Sequence, residues 1–353
     1  HEGAFMNRLH TSLTHLARAA KKYGLSAELV MVEWAPPPNR PPLAEAVKAW
    51  PKGVIPTRVI TVPKAVHDRL PHAKKDPFPQ FFAKNVGIRR ARGEYILVTN
   101  ADILLSDDLI KFIADRRLKP DWFYRIDRHD LRKAIPPNLP VEELTPWCER
   151  HTKLVLTMHD IGVGGVLTGG FPEELADQVN LTGVKANITT MFEHMKIHIE
   201  DSEEATRSYW LMAKSSYDLD EEVNVAPFPG FGRATDMKEL HTFADGDFFV
   251  ISRVNAHRLK GYVELPFPIV VDSYFTVMAA TVGLRQGIIM PPLVTFHQYH
   301  VAGAMHARVN KVDLDQDQFI HNVTTMLENG RLLRFNGPDW GYGSLTFNET
   351  LIP

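Results

Sequence analysis

The chain has 353 residues, of which 44% are hydrophobic and 23% charged, and its net charge is −2. It is long enough to bury a full core, as one large α/β domain or one and a half, and the charge gives no support for a nucleic-acid-binding surface. No apolar run approaches the ~18–20 residues that span a membrane, and Cys148, alone, excludes an intrachain disulfide or a cysteine-rich zinc site.

Compartment signals are mixed. The sequence opens at His1, not Met, without a signal-peptide pattern. Four N-x-[ST] sequons, at Asn180, Asn187, Asn322 and Asn348, permit the Golgi or secretory lumen. Freedom from disulfides favours the cytoplasm.

Taken in order, Phe5 to Tyr23 carries an apolar stripe at steps of three and four, which predicts a helix ended by Gly24. Glu28 to Val32 predicts a strand running into Glu33-Trp34. The proline-dense stretch 35–42 is a stiff loop. Leu43 to Trp50 reads as a short helix and Thr57 to Val62 as a strand, and Pro63 to Pro79 as a basic loop with Lys64, Lys74 and Lys75. Gln80 to Arg92 is a helix carrying Lys84 and Asn85, with Gly93 as a left-handed stop. Tyr95 to Thr99 is a short apolar β-rich run, as expected for a strand covered on both faces. Asn100-Ala101-Asp102 follows at its carboxyl end, where open α/β sheets bind ligands. Ser106 then caps a helix with Asp107 and Asp108 in its first turn. Trp122 to Ile126 is a further strand, with Asp127-Arg128 at its end. The alternation predicts a parallel sheet with helical crossovers.

From 131 to 240 the pattern is opaque. Gly162 to Gly170 is glycine-rich but lacks the spacing of a phosphate loop. Thr190 to Glu200 reads as a helix and Ala226 to Gly232 as a loop. Order returns at His241, with a loop through Asp247, a strand from Phe248 to Ile251, a short helix from Arg253 to Lys260 and Gly261-Tyr262-Val263-Glu264. Asp272 heads a helix with Phe275, Met278, Ala279 and Val282 inward, and Gly283 follows it. Leu293 to Phe296 is a strand closed by His297-Gln298-Tyr299-His300. On an extended strand residues 297 and 300 point to opposite faces, so the two histidines are not expected to share a metal, and His297 is the favoured ligand. The tail holds a helix from Gln316 to Asn329 and an aromatic loop at Asp339 to Tyr342, a candidate lid.

The stretch from Asn85 to Asp108, with its Ala-Arg-Gly-Glu-Tyr-Ile-Leu run before Asn100-Ala101-Asp102, resembles the central signature of GT-A glycosyltransferases of the family 2 type. The block from Gly246-Asp247 through Gly261-Tyr262 and Glu264 to Asp272 resembles their second signature. The resemblance implies a GT-A fold, a Rossmann-like, mostly parallel sheet flanked by helices. Residues 1–130 would form the nucleotide-sugar half, 131–240 a variable acceptor region, 241–310 the catalytic half and 311–353 a tail. It also implies a first strand ahead of residue 1.

By the same resemblance, Asp102 and His297 hold Mn2+ or Mg2+. Glu33, Asn85, Asn100 and Asp102 face a nucleotide-diphosphate sugar, by family a UDP-sugar. Asp247 binds sugar hydroxyls, and Asp272 is the base of an inverting transfer to a glycan, lipid-linked or small-molecule acceptor. Two positions depart from the pattern. Asn100 replaces the first Asp of Asp-x-Asp, and Val271 replaces the Glu of a Glu-Asp pair. These departures leave two alternatives, a non-catalytic nucleotide-sugar- or glycan-binding GT-A domain and a sugar-phosphate nucleotidyltransferase.

Overall fold

The computed structural model describes residues 2–71, 73–74, 76, 78–157, 183–188, 195–215, 225–228, 234–265, 271–300 and 316–353. The helical stripe forms α1 (Glu2–Tyr23), and Gly24 takes the left-handed turn at φ 65° that ends it. β1 (Leu29–Trp34), α2 (Leu43–Ala46), β2 (Thr57–Val62), α3 (Lys64–His67) and α4 (Gln80–Arg90) follow. α2 stops well short of Trp50, because Val47 is already extended. α4 also ends without a left-handed glycine, since Ala91 is extended and Gly93 is not among the positive-φ residues.

Next come β3 (Tyr95–Thr99), β4 (Ile103–Leu105), α5 (Asp107–Ala114), β5 (Trp122–Ile126) and β6 (Arg128–Leu131). The Ser106 side chain accepts from Leu109 N and caps α5, as its place in the sequence predicts. α6 (Leu144–Arg150), β7 (Thr152–Thr157), β8 (Val184–Ile188), β9 (Met195–Ile199), α7 (Glu203–Ser215) and β10 (Val225–Phe228) make up the middle of the chain. β11 (Phe248–Ser252), α8 (Arg253–Leu259), α9 (Val271–Thr281), β12 (Arg285–Ile289), β13 (Thr295–His297), α10 (Gln316–Asn329) and β14 (Asn348–Ile352) complete it.

The strands form three sheets, in the orders β1-β2-β14, β10-β12-β5-β11-β3 and β4-β13-β6-β7-β9-β8. The α/β class holds, but the sheets are mixed. Only β1 with β2, β5 with β12 and β6 with β13 are parallel. The other described pairings are antiparallel, so "mostly parallel" is corrected. Alternation of helix and strand does not reveal that β11 returns antiparallel between β3 and β5.

Two readings of the middle region are also corrected. Met195–Ile199 is a strand between β7 and β8, not a helix. Its period is two, with Ile197 and Ile199 buried and His198 exposed. Val225–Phe228 is an edge strand on β12, a place that tolerates Pro227. The glycine-rich stretch 162–170 lies outside the described residues.

The largest core lies between the five-stranded sheet and helices α4, α8, α9 and α10. α5 covers the sheet's other face through Leu109 and Phe112. α6 and α7 pack on the six-stranded sheet.

The tail is not a lid. β14 pairs antiparallel with β2. Arg89 and Arg90 of α4 donate to the carbonyls of Pro338, Trp340, Gly341, Tyr342 and Leu345. Trp340 is buried against the core.

Candidate functional site

The geometry begins with register. β13 lies between β4 and β6, so His297 stands beside Ile103 on one side and Asp130 on the other. Asp102 immediately precedes Ile103. Its backbone carbonyl accepts from Gln298 N at 3.0 Å, which ties the carboxyl end of β3 to the segment that leaves β13. β13 ends at His297, and the chain beyond it is no longer extended strand. The opposite-face argument therefore does not apply, and His300 turns back toward His297.

As a result Asp102, His297 and His300 converge, and the expectation that the two histidines diverge is corrected. Asp102 Oδ2 is 3.9 Å from His297 Nε2 and 3.6 Å from His300 Nε2, and the two Nε2 atoms are 3.3 Å apart. Ligands bound at about 2.1–2.2 Å in tetrahedral or cis-octahedral positions stand roughly 3.0–3.6 Å apart. The cluster is close to that spacing, and its donor set of one carboxylate and two imidazoles suits a divalent metal.

His297 Nδ1 lies 3.2 Å from Asp130 Oδ1. A carboxylate only accepts, so this contact places the proton on Nδ1 and leaves Nε2 free to coordinate. Burial pushes the Asp130 carboxyl up, but the His297 hydrogen bond and the Arg128 charge outweigh it and hold the group below the usual carboxylate range. Arg128 lies two residues before Asp130 on β6, so both side chains leave the same face. Arg128 pairs with Asp130 at 2.8 Å and with Asp247 Oδ2 at 2.6 Å.

Asp247 in turn accepts from the Asn100 amide, whose Oδ1 accepts from Gln80 Nε2 at 2.8 Å. Asn100 thus fixes Asp247.

Asp272 lies in the first turn of α9. Its Oδ2 accepts from Gly246 N at 3.0 Å, one residue before Asp247, and its Oδ1 from Ser273 N at 3.2 Å. Burial raises its carboxyl, while the Gly246 bond and the Lys84 charge pull it back. The loop that carries Gly246 and Asp247 rests on a buried frame. Arg125 is fully buried and pairs with Asp245 at 2.5 Å, while donating to the carbonyls of His241 and Phe243. Thr276 of α9 donates to Asp245 at 2.6 Å. Desolvation drives Asp245 up to about 8.

Two residues expected to face the donor have protein partners. Asn85 is buried, and its amide makes a two-way bridge to Tyr262 N and O at 2.8 and 2.7 Å and a third bond to Glu264 at 3.0 Å. It fastens α4 to the segment after α8. Glu33 accepts from Leu43 N at 2.7 Å and Thr61 Oγ1 at 3.1 Å, which clips β1 to α2 and β2. Both of its carboxylate oxygens are engaged on that side of the molecule.

Arg8, which no sequence motif marks, faces Asp102 Oδ2 with its Nε at 3.4 Å from α1. In the sequence Lys84 marks only a helix and Arg128 only a loop, and Asp130 stands in no motif. Their roles depend on strand register and on which helix face meets which loop. The period-two spacing of Arg128 and Asp130 was the one signal available. A scan against protein-family models and a search of curated proteins both return no match for this sequence.

Proposed function

We propose that this chain is a metal-dependent glycosyltransferase that moves a sugar from a nucleotide-diphosphate donor, by family resemblance a UDP-sugar, to an acceptor hydroxyl with inversion. The observation that carries the reading is the convergence of Asp102, His297 and His300 at the end of the strand whose sequence resembles the family signature. Asp102, His297 and His300 would hold the ion, and their two imidazoles favour Mn2+ over Mg2+. Bound there, the ion would neutralise the leaving diphosphate.

The protein's own residues supply the rest. Asp130 orients His297. Asp247, held by Asn100 and Arg128, presents a fixed carboxylate to sugar hydroxyls. Asp272 accepts the proton of the acceptor hydroxyl as that oxygen bonds to the anomeric carbon and the bond from that carbon to the diphosphate oxygen breaks. A raised carboxyl suits this work, because a base is most effective when its affinity for protons approaches working conditions.

A second reading, binding of a nucleotide sugar without turnover, is favoured by the engagement of both Asp272 oxygens with backbone N–H groups. A screen of nucleotide sugars with Mn2+, scored by release of the nucleoside diphosphate, separates the two. Release from one donor, lowered about 100-fold or more in Asp102→Ala, is the expected result. Donor binding with no release in the presence of an acceptor panel would favour the binding reading.

A further inference from the structure

We infer that Lys84 is a positioning residue for Asp272, acting through the backbone of Gly246 to hold that carboxylate in place. This deepens the reading of Asp272 as the base and takes its catalytic meaning from it. Lys84 projects from α4, and its Nζ donates to the Gly246 carbonyl. The N–H of the same glycine donates to Asp272 Oδ2 at 3.0 Å. A cation at the carbonyl and an anion at the N–H of one residue grip the loop from both sides.

Residue 246 suits a glycine for a steric reason. A Cβ there would lie 3.3 Å from Asp272 Oδ2 and 3.5 Å from Lys84 Nζ, so both charged groups crowd the space a side chain would take. The Phe81 and Tyr262 rings, 5.5 and 5.9 Å from Nζ, wall the ammonium in.

The charges that face Asp272 come from several elements. Asp245 and Asp247 share the Gly246 loop, Arg125 comes from β5 and Lys84 from α4. The Tyr262 hydroxyl donates to the Asp245 carbonyl at 3.1 Å. The Asp102 charge, from the turn after β3, acts on Lys84. Arg125 is committed to Asp245 and Arg128 to Asp247 and Asp130. Among the described residues Lys84 is the cation that lowers the Asp272 carboxyl most, ahead of Arg125.

Burial pulls the Lys84 ammonium down to about 8 against the attraction of Asp247, Asp272 and Asp102. Below that pH Lys84 is charged and lowers the Asp272 carboxyl. Loss of the charge, by mutation or by higher pH, removes that pull.

The test is a carbon-detected NMR titration of the Asp272 carboxyl in the full chain, in the wild type, Lys84→Met and Lys84→Arg. Asp272 is expected to bind its proton about tenfold more tightly in Lys84→Met and to return most of the way in Lys84→Arg. An unchanged Asp272 titration in a folded Lys84→Met protein would overturn the inference. Should that variant not fold, the Lys84 side-chain titration in the wild type and in Asp272→Asn decides. Lys84 is expected to lose its proton at lower pH in Asp272→Asn, and no change would overturn the inference. Turnover separates this from the reading of Asp272 as base. If that reading holds, the acid limb of the rate profile moves up in Lys84→Met. If Asp272→Asn keeps full turnover, the base assignment fails while the NMR result stands.

Discussion

Asp130 and His297 meet because β6 and β13 pair in register, and the acceptor-only carboxylate then selects which imidazole nitrogen stays free. On the proposed metal site, this contact would make a residue outside the coordinating set govern metal affinity. Asp130→Asn is expected to weaken Mn2+ binding about 10–100-fold, measured by calorimetry, with the fold retained. Undiminished affinity would make the contact incidental. At this scale the sequence was legible in position: Asp102 lies just beyond an apolar strand, Asp272 in the first turn of a helix and His297 at the close of a strand. His300, Arg128 and Lys84 were not readable, since their roles arise from the end of β13, the face of β6 and the docking of α4 on the Gly246 loop. Asn85 is a buried amide, and it finds its partners in Tyr262 and Glu264, which its place in a motif does not reveal.

Among the elements, the meeting of the first two sheets stands out. Leu29 N donates to Pro56 and Ala35 N to Val62, so the odd-numbered residues of β1 face β2. Val30, Val32 and Trp34 therefore turn their backbone groups to the other edge. On β3, Arg253 N donates to the Glu94 carbonyl, so Ile96 and Val98 face β11 and Tyr95, Leu97 and Thr99 turn away. Among the described residues neither of these edges pairs with a strand. Arg92 N donates to Glu28, which draws the amino ends of β3 and β1 together, and α4 packs on both strands. The amides of 30, 32, 95 and 97 are expected to exchange with deuterium at least about 100-fold faster than those of 31, 96 and 98. Equal protection would mean that a strand is added along these edges in solution. Elements with a strong pattern, such as the period of α1 and the apolar run of β3, were legible from sequence. β9 was not, because five residues of alternating pattern are a weak signal.

Across the whole molecule, buried histidines couple stability to pH. His129 is fully buried, stacked on Trp210 at 5.0 Å and bonded to the Tyr209 hydroxyl at 2.8 Å. Burial lowers it to about 4, and His15 and His241 are lowered by burial as well. A histidine depressed in the folded state contributes stability that is fully present above the unfolded value of about 6.5 and is lost as pH falls toward the folded value. For His129 the window runs from about 6.5 to about 4, and the loss is about 3 kcal/mol. Urea denaturation at several pH values is expected to show this decline. His129→Gln is expected to be less stable at pH 7 yet to decline less steeply in acid. An identical slope would show that His129 does not titrate as a buried neutral group.

The most direct test of the account is the melting temperature of the full chain with UDP or GDP, with and without Mn2+, in the wild type and in Asp102→Ala. A ligand held only by the folded state raises that temperature by mass action. The account predicts a rise with one nucleotide that requires Mn2+ and disappears in Asp102→Ala. A rise independent of Mn2+ or undiminished in Asp102→Ala, or no rise with any nucleotide, would contradict it.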